Sequence, residues 1–407
     1  MPKILITGNG FDLNLGLPTH YNDFINILNC LKEDDFDFDK IYSKSVNYEK
    51  IKSNFNTFKF DQEKLEQLKE EIKNNIWFEF FNDEFKIETW IDFENKIKYV
   101  LDVLFSSFKY IENVFFSKGS LPLGSEGRVY PISIFNNNIE MIVILKIFSV
   151  LNPSTSDRIR FNHDFFVKKH DHYIGIDFDK ISKKLNLELI NFKKIFNSYF
   201  EIFVFPFYDN ITNEIDKNRY KKFDKHFTFN FTNTFEKIYG KNDITEFLHG
   251  KIDSLENKIV LGINSLPQND IDDRSFLPFT KYFQKLNNKT DYKFIQLYKK
   301  KDRENYEFFF LGHSMDRSDA DYIIEIFNFV KELKTKNKII IVCHNASSES
   351  KLLINLLDII GKEDIENLMR NDILSFLQID SSELNVALKR GVTKGNVYYA
   401  AISAGTS

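Results

Sequence analysis

The chain has 407 residues, of which 43% are hydrophobic, 28% charged and 16% aromatic, with 15 Gly and 8 Pro. This composition excludes a disordered chain, a collagen-like repeat and a Gly/Ser linker protein, and a chain of this length buries roughly three quarters of its unfolded surface without staples. Lys and Arg total 55 against 59 Asp and Glu, a net charge of −4, so no bulk positive field points to nucleic acid or to an anionic membrane. The two cysteines, Cys30 and Cys343, are too few for a disulfide framework or a four-thiolate zinc site and read as buried free thiols.

The first residues pass straight into a strand-like run with no leader pattern. The most apolar interior stretch, 141–151, contains Lys146 and is shorter than the roughly 20 residues a bilayer requires. A cytoplasmic protein without a membrane partner is the expectation. Aromatics are everywhere, with 44 Phe and 18 Tyr, so an aromatic beside a lysine says little about base stacking.

In chain order, residues 3–7 form a short apolar strand, Gly8-Asn9-Gly10-Phe11-Asp12 follows at once, and a helix is predicted over 21–31. Strand, glycine turn and helix open a βαβ unit. Residues 33–60 are acidic and rich in Phe, Asp and Lys without a clear period. Over 61–116 apolar residues recur at three- and four-residue steps, among them Leu65, Leu68, Ile72, Phe93, Ile97 and Leu101, which is a helical pattern. The stretch 117–130 reads as a loop, and a second long helix is predicted over 178–200. We take 1–60 as the first part of an α/β domain, 61–220 as a mainly helical inserted layer, 221–390 as the rest of the α/β domain and 391–407 as a frayed tail.

From 225 short β-branched runs return. Strands are predicted over 225–231, 244–248, 258–263, 308–311 and 338–342, with Thr232 or Asn233 capping a helix that Gly240 ends. Further helices are predicted over 319–333 and 348–360. Apolar strands separated by helices give a Rossmann-like parallel sheet covered on both faces.

In such a sheet ligands bind outside the carboxyl ends of the strands. Several polar oddities fall there: Gly8, Asn9 and Gly10; Thr228 and Asn230; His249 and Gly250; Gly262; and Gly312, His313 and Ser314. Glycines let backbone approach a phosphate and helix N-termini supply amide donors. Each signal is weak alone. The first turn lacks the last glycine of the six-position dinucleotide fingerprint, because position 13 is Leu; Asn230 could be a cap, and His249 a structural histidine. The His170-Asp171-His172 run lacks a third partner at ligand spacing, so no metal is expected.

The run from Ile4 to Asp12, with Gly16-Leu17-Pro18-Thr19, Tyr21 and Phe24, resembles the opening of the bacterial abortive-infection AbiH family. So do Trp90-Ile91-Asp92-Phe93-Glu94, Phe229-Asn230-Phe231-Thr232-Asn233-Thr234, Leu248-His249-Gly250, Val260-Leu261-Gly262, and Gly312-His313-Ser314 followed by Asp319. That family in turn resembles sirtuin-like NAD-consuming domains of phage defence. The resemblance implies that Gly8, Asn9, Gly10, Phe11, Asp12, Pro18, Thr228, Gly262, Gly312, His313 and Ser314 contact a dinucleotide, and that Asn230 and His249 form the catalytic pair. Three departures stand out: Asn9 and Phe11-Asp12 stand in the first loop where sirtuins have small residues, Thr232 occupies a position where Asp is common, and the four-cysteine module of protein-deacylating sirtuins is missing.

What the resemblance implies is a phage-defence effector that binds NAD and hydrolyses it to nicotinamide and ADP-ribose, with NAD as substrate rather than prosthetic group. His249, with an ordinary imidazole pKa near 6.5, would be the general base. Asp12 would be a second polar contact, and Glu94 either a site residue or an anchor of the helical layer. The alternative is a non-catalytic sensor of NAD or ADP-ribose that controls a partner. Because NAD loss is toxic, a homo-oligomer or autoinhibited state and a phage-encoded trigger are expected.

Overall fold

A short run dominated by apolar and β-branched residues is stable as a strand when both sheet faces are covered. In the computed structural model Lys3–Thr7 is such a strand, β1, with every side chain buried. It belongs to a six-stranded, all-parallel sheet with β2 (Lys225–Thr228), β3 (Thr245–Phe247), β4 (Glu307–Leu311), β5 (Lys338–Cys343) and β6 (Leu374–Gln378). The spatial order is β6-β5-β4-β1-β2-β3, the doubly wound order in which the chain reverses direction across the sheet between β1 and β4. Thr7 is level with Leu311 on one side and Thr228 on the other. The turns after all three strands therefore open at one height.

The structure describes residues 2–33, 49, 52, 60–83, 90–211 and 216–389, apart from 118, 123, 137, 156, 241–243, 253–257, 267–272, 291–293, 295–304 and 333–335. The expected tail over 391–407 and most of the acidic stretch 33–60 lie outside the described residues. No helix among the described residues is long and apolar enough to cross a membrane.

Between β1 and β2 stand the helices Gln62–Lys73, Ile76–Asp83, Trp90–Ile111 and Phe178–Tyr199. Two three-stranded antiparallel sheets sit among them, one of 121–122, 166–169 and 172–176, the other of 130–131, 151–155 and 158–161. Part of the predicted loop over 117–130 is thus paired backbone. This layer supplies most of a large hydrophobic core, which it shares with the helix Tyr21–Lys32 and with apolar residues between 238 and 279. Phe24, from the helix after β1, packs edge-on to Tyr199 at 5.1 Å and against Phe196 at 5.5 Å, and the same cluster continues to Phe276 and Phe279.

Four local expectations are corrected. The strand predicted over 225–231 ends at Thr228, freeing 229–231 to turn over the sheet edge. The strand predicted over 258–263 is not one: the Leu261 N–H donates to the Gln284 Oε1 at 2.9 Å, and a backbone served by a side chain builds no ladder. Asn233 precedes the helix Thr234–Tyr239, but its side chain makes no cap bond. β6 was missed, because Leu374-Ser-Phe-Leu-Gln378 is an edge strand of mixed polarity.

Candidate functional site

The glycine turns after β1 and β4 lie against one another. The Gly10 N–H donates to the Gly312 carbonyl at 2.8 Å, the Gly8 N–H to the Leu311 carbonyl at 3.2 Å, and the Phe11 N–H to the Gly8 carbonyl at 2.9 Å. Gly312 has φ +67°, and a Cβ there would stand 2.1 Å from the Phe11 nitrogen. These glycines are required by loop-to-loop packing, and three amides of the first turn are already bonded within the protein. Gly312→Ala is expected to cost at least about 2 kcal/mol, combining a left-handed penalty with a backbone clash; a chemical-denaturation midpoint unchanged from wild type would contradict this.

Docking the two turns leaves a cavity of about 290 Å³ at the switch point. Gly8, Asn9, Gly10, Asp12, Asn230, His249, Gly312, His313 and Ser314, nine of the residues expected at a site, line it together. Four others do not. Phe11 turns into the core against Tyr220 and Phe235, with ring centroids 6.3 and 6.5 Å away. The Pro18 carbonyl accepts from the Tyr199 hydroxyl at 2.7 Å. Thr228 works inside the sheet, where its hydroxyl accepts from the Thr7 hydroxyl at 2.9 Å and from the Asn230 N–H at 3.0 Å. Gly262 packs beneath the Phe279 carbonyl. Thr228 thus positions Asn230, and Asn9 steadies the first turn by donating from Nδ2 to the Thr19 carbonyl at 2.9 Å.

Asp12 is fully buried. Its Oδ2 accepts a short hydrogen bond from the Thr232 hydroxyl. The Thr234 hydroxyl donates to Thr232 at 3.0 Å, and Tyr208 stands 3.1 Å from Thr234. Oδ1 has no hydrogen-bond partner. Burial pushes the carboxyl up to about 6, against the pull of Thr232, Thr234 and Asn230. Thr232, expected as a helix cap, instead serves this carboxylate.

A second polar group gathers around Asp319. Lys281 Nζ lies 2.7 Å from Glu94 Oε2 and 3.7 Å from Asp319 Oδ1. His249 Nε2 is 3.2 Å from Asp319 Oδ1, and His313 Nε2 is 3.4 Å from Oδ2. The Met315 N–H donates to His313 Nδ1 at 2.9 Å, so a neutral His313 carries its proton on Nε2, facing the carboxylate. His249 Nε2 and Asp319 Oδ1 are close but not aligned as a hydrogen bond.

Burial works against Asp319 ionisation, yet Lys281 and the two histidines outweigh it and hold the carboxyl well below the usual range. Burial would lower Lys281, but Glu94 and Asp319 hold its ammonium above the ordinary value. Glu94 is pushed up to about 7 by burial, partly offset by Lys281. His249 departs from expectation: burial among aromatic rings, Phe229 at 5.2 Å and Tyr322 at 6.1 Å, pulls it down to about 4. It is neutral at pH 7 and a weak base.

Sequence reasoning missed Lys281, which lies in a stretch without motif, and left Glu94 undecided; the side chains of Trp90 and Asp92 lie outside the described residues. Among the described residues no three His, Cys, Asp or Glu are arranged to hold a metal. No curated protein and no solved structure matches the chain. The model of the family described as bacteriophage abortive infection AbiH matches residues 4–343, a span that takes in both glycine turns, Asp12, Asn230, His249, Lys281 and Asp319, and the chain therefore belongs to the AbiH family of bacteriophage abortive infection.

Proposed function

We propose that the chain serves abortive infection by binding NAD in the switch-point cavity and hydrolysing its nicotinamide–ribose bond. One observation carries the reading: the buried Asp12 carboxylate, with Oδ1 unpartnered, lines the same cavity as Asn230 and His249. The carboxylate that the sirtuin-like pattern places at position 232 would be supplied by Asp12 from the short helix Asn9–Asn14 after β1, held by the Thr232 hydroxyl.

The C1′–N bond breaks with its electron pair passing to the pyridinium nitrogen, so nicotinamide leaves neutral and oxocarbenium charge grows on the ribose. Water adds to C1′ and gives its proton to Asp12, leaving ADP-ribose. Asn230 orients the water or the ribose through its amide, and neutral His249 holds a ribose hydroxyl. The largely apolar wall of the cavity limits other water. Because this carboxylate ionises near pH 6, nicotinamide release should rise from pH 5 to 7 and then level; a profile flat across that range would remove Asp12 as the base. An effector of this kind would be restrained as a homo-oligomer or autoinhibited state until a phage-encoded trigger acts.

The direct test is nicotinamide release from NAD by the purified protein, with and without phage infection of the producing cells. Asn230→Ala and His249→Ala are expected to lower it at least about tenfold with folding intact. A sensor without turnover is the second reading, favoured by the weak basicity of His249 and the bonded amides of the first turn. Calorimetric binding of NAD with no nicotinamide released, even after infection, would select it.

A further inference from the structure

We infer that the cavity is a cage for a planar organic cation, and that it takes the oxidised pyridinium ring of a dinucleotide in preference to the neutral reduced ring. The choice of pyridinium rests on the NAD reading; the preference for a cation does not.

Three independent features of the lining carry it. The first is charge. Among the described lining residues Asp12, Glu94 and Asp319 face a single ammonium, that of Lys281. That ammonium is already engaged by Glu94 at 2.7 Å, by Asp319 at 3.7 Å and by the Ser318 carbonyl at 3.4 Å. The second is unmet hydrogen bonding. Asp12 Oδ1 is a buried carboxylate oxygen without a hydrogen-bond partner, in a residue that is fully buried. Such an oxygen is costly unless something positive or proton-donating meets it. The third is the wall itself: Tyr21, Phe200, Phe229 and Phe231 line the same space, and aromatic faces attract a cation, most strongly where water is excluded. Carboxylates and aromatic rings together suit a flat, weakly hydrated cation. They suit a phosphate poorly.

The discrimination needs no contact specific to one ring atom. NAD and NADH differ at the ring by one positive charge, and a charge entering a net-acidic, partly desolvated cavity is favoured over its neutral counterpart. Calorimetry with the wild-type protein at pH 8 tests this on two pairs: NAD against NADH, and N-methylnicotinamide, methylated on the ring nitrogen and so a pyridinium cation, against nicotinamide. The second pair shares a ring and lacks phosphate altogether. Each cation is expected to bind at least about tenfold more tightly than its neutral partner, and Asp12→Asn should narrow both ratios. Equal binding of N-methylnicotinamide and nicotinamide, or of NAD and NADH while NAD is still cleaved, would overturn the cage and leave the hydrolase intact. A tenfold preference for N-methylnicotinamide in a protein that neither binds nor cleaves NAD would support the cage, and the dinucleotide reading alone would fall.

Discussion

Asp12→Asn is expected to lower nicotinamide release by about 10²–10⁴-fold while making the protein more stable at neutral pH. Both effects have one cause. The folded protein holds this carboxyl at about 6 against an ordinary 3.8 because burial disfavours the charge. An acid raised on folding costs stability wherever it must be ionised: the cost is absent below the ordinary value, grows between 3.8 and 6, and is complete above 6. The ceiling on that cost is about 3 kcal/mol. Asn keeps an oxygen to accept from Thr232 and removes the charge. Its new amide protons lack assured partners, which returns about 1–2 kcal/mol.

Chemical denaturation of the two proteins should therefore show the variant ahead at pH 7.5 and the difference closing toward pH 4. Unchanged turnover would take Asp12 out of the chemistry. A stability difference independent of pH would show that the buried charge is not what the native fold tolerates there.

Lys281→Met should be the most destabilising single change at the site, at about 3–5 kcal/mol. Removing the ammonium leaves Glu94 and Asp319 as buried carboxylates without their shared cation. Glu94 would then protonate over a wider pH range, and His249 would face an Asp319 of altered charge. The double variant Glu94→Gln with Lys281→Met removes one of the two orphaned charges and is expected to recover part of the loss, a coupling that a double-mutant cycle measures. If the single variant lost less than about 1 kcal/mol, the buried network would not be the bridge described above. Glu94 belongs to the Trp90–Ile111 helix of the inserted layer, whereas Asp319 touches both cavity histidines, so one buried ion network joins that layer to the site.

β1, β4 and β5 were legible in the chain because strands buried on both faces are nearly unbroken apolar runs, and Gly8, Gly312, Asn230 and His249 stood out because polar and glycine residues collect where such runs stop. Those features depend on neighbours a few residues away, and local order is enough to reveal them. The rest was settled at long range. Leu261 lost its strand to the side chain of Gln284, Thr232 gave up capping for the Asp12 carboxylate of the helix after β1, and Lys281 found Glu94 and Asp319 from distant segments. Charge pairing and desolvation are set by what surrounds a group in space. For that reason a histidine that looked like an ordinary base became a weak one, and an aspartate expected only as a second polar contact became the group with its carboxyl raised to about 6.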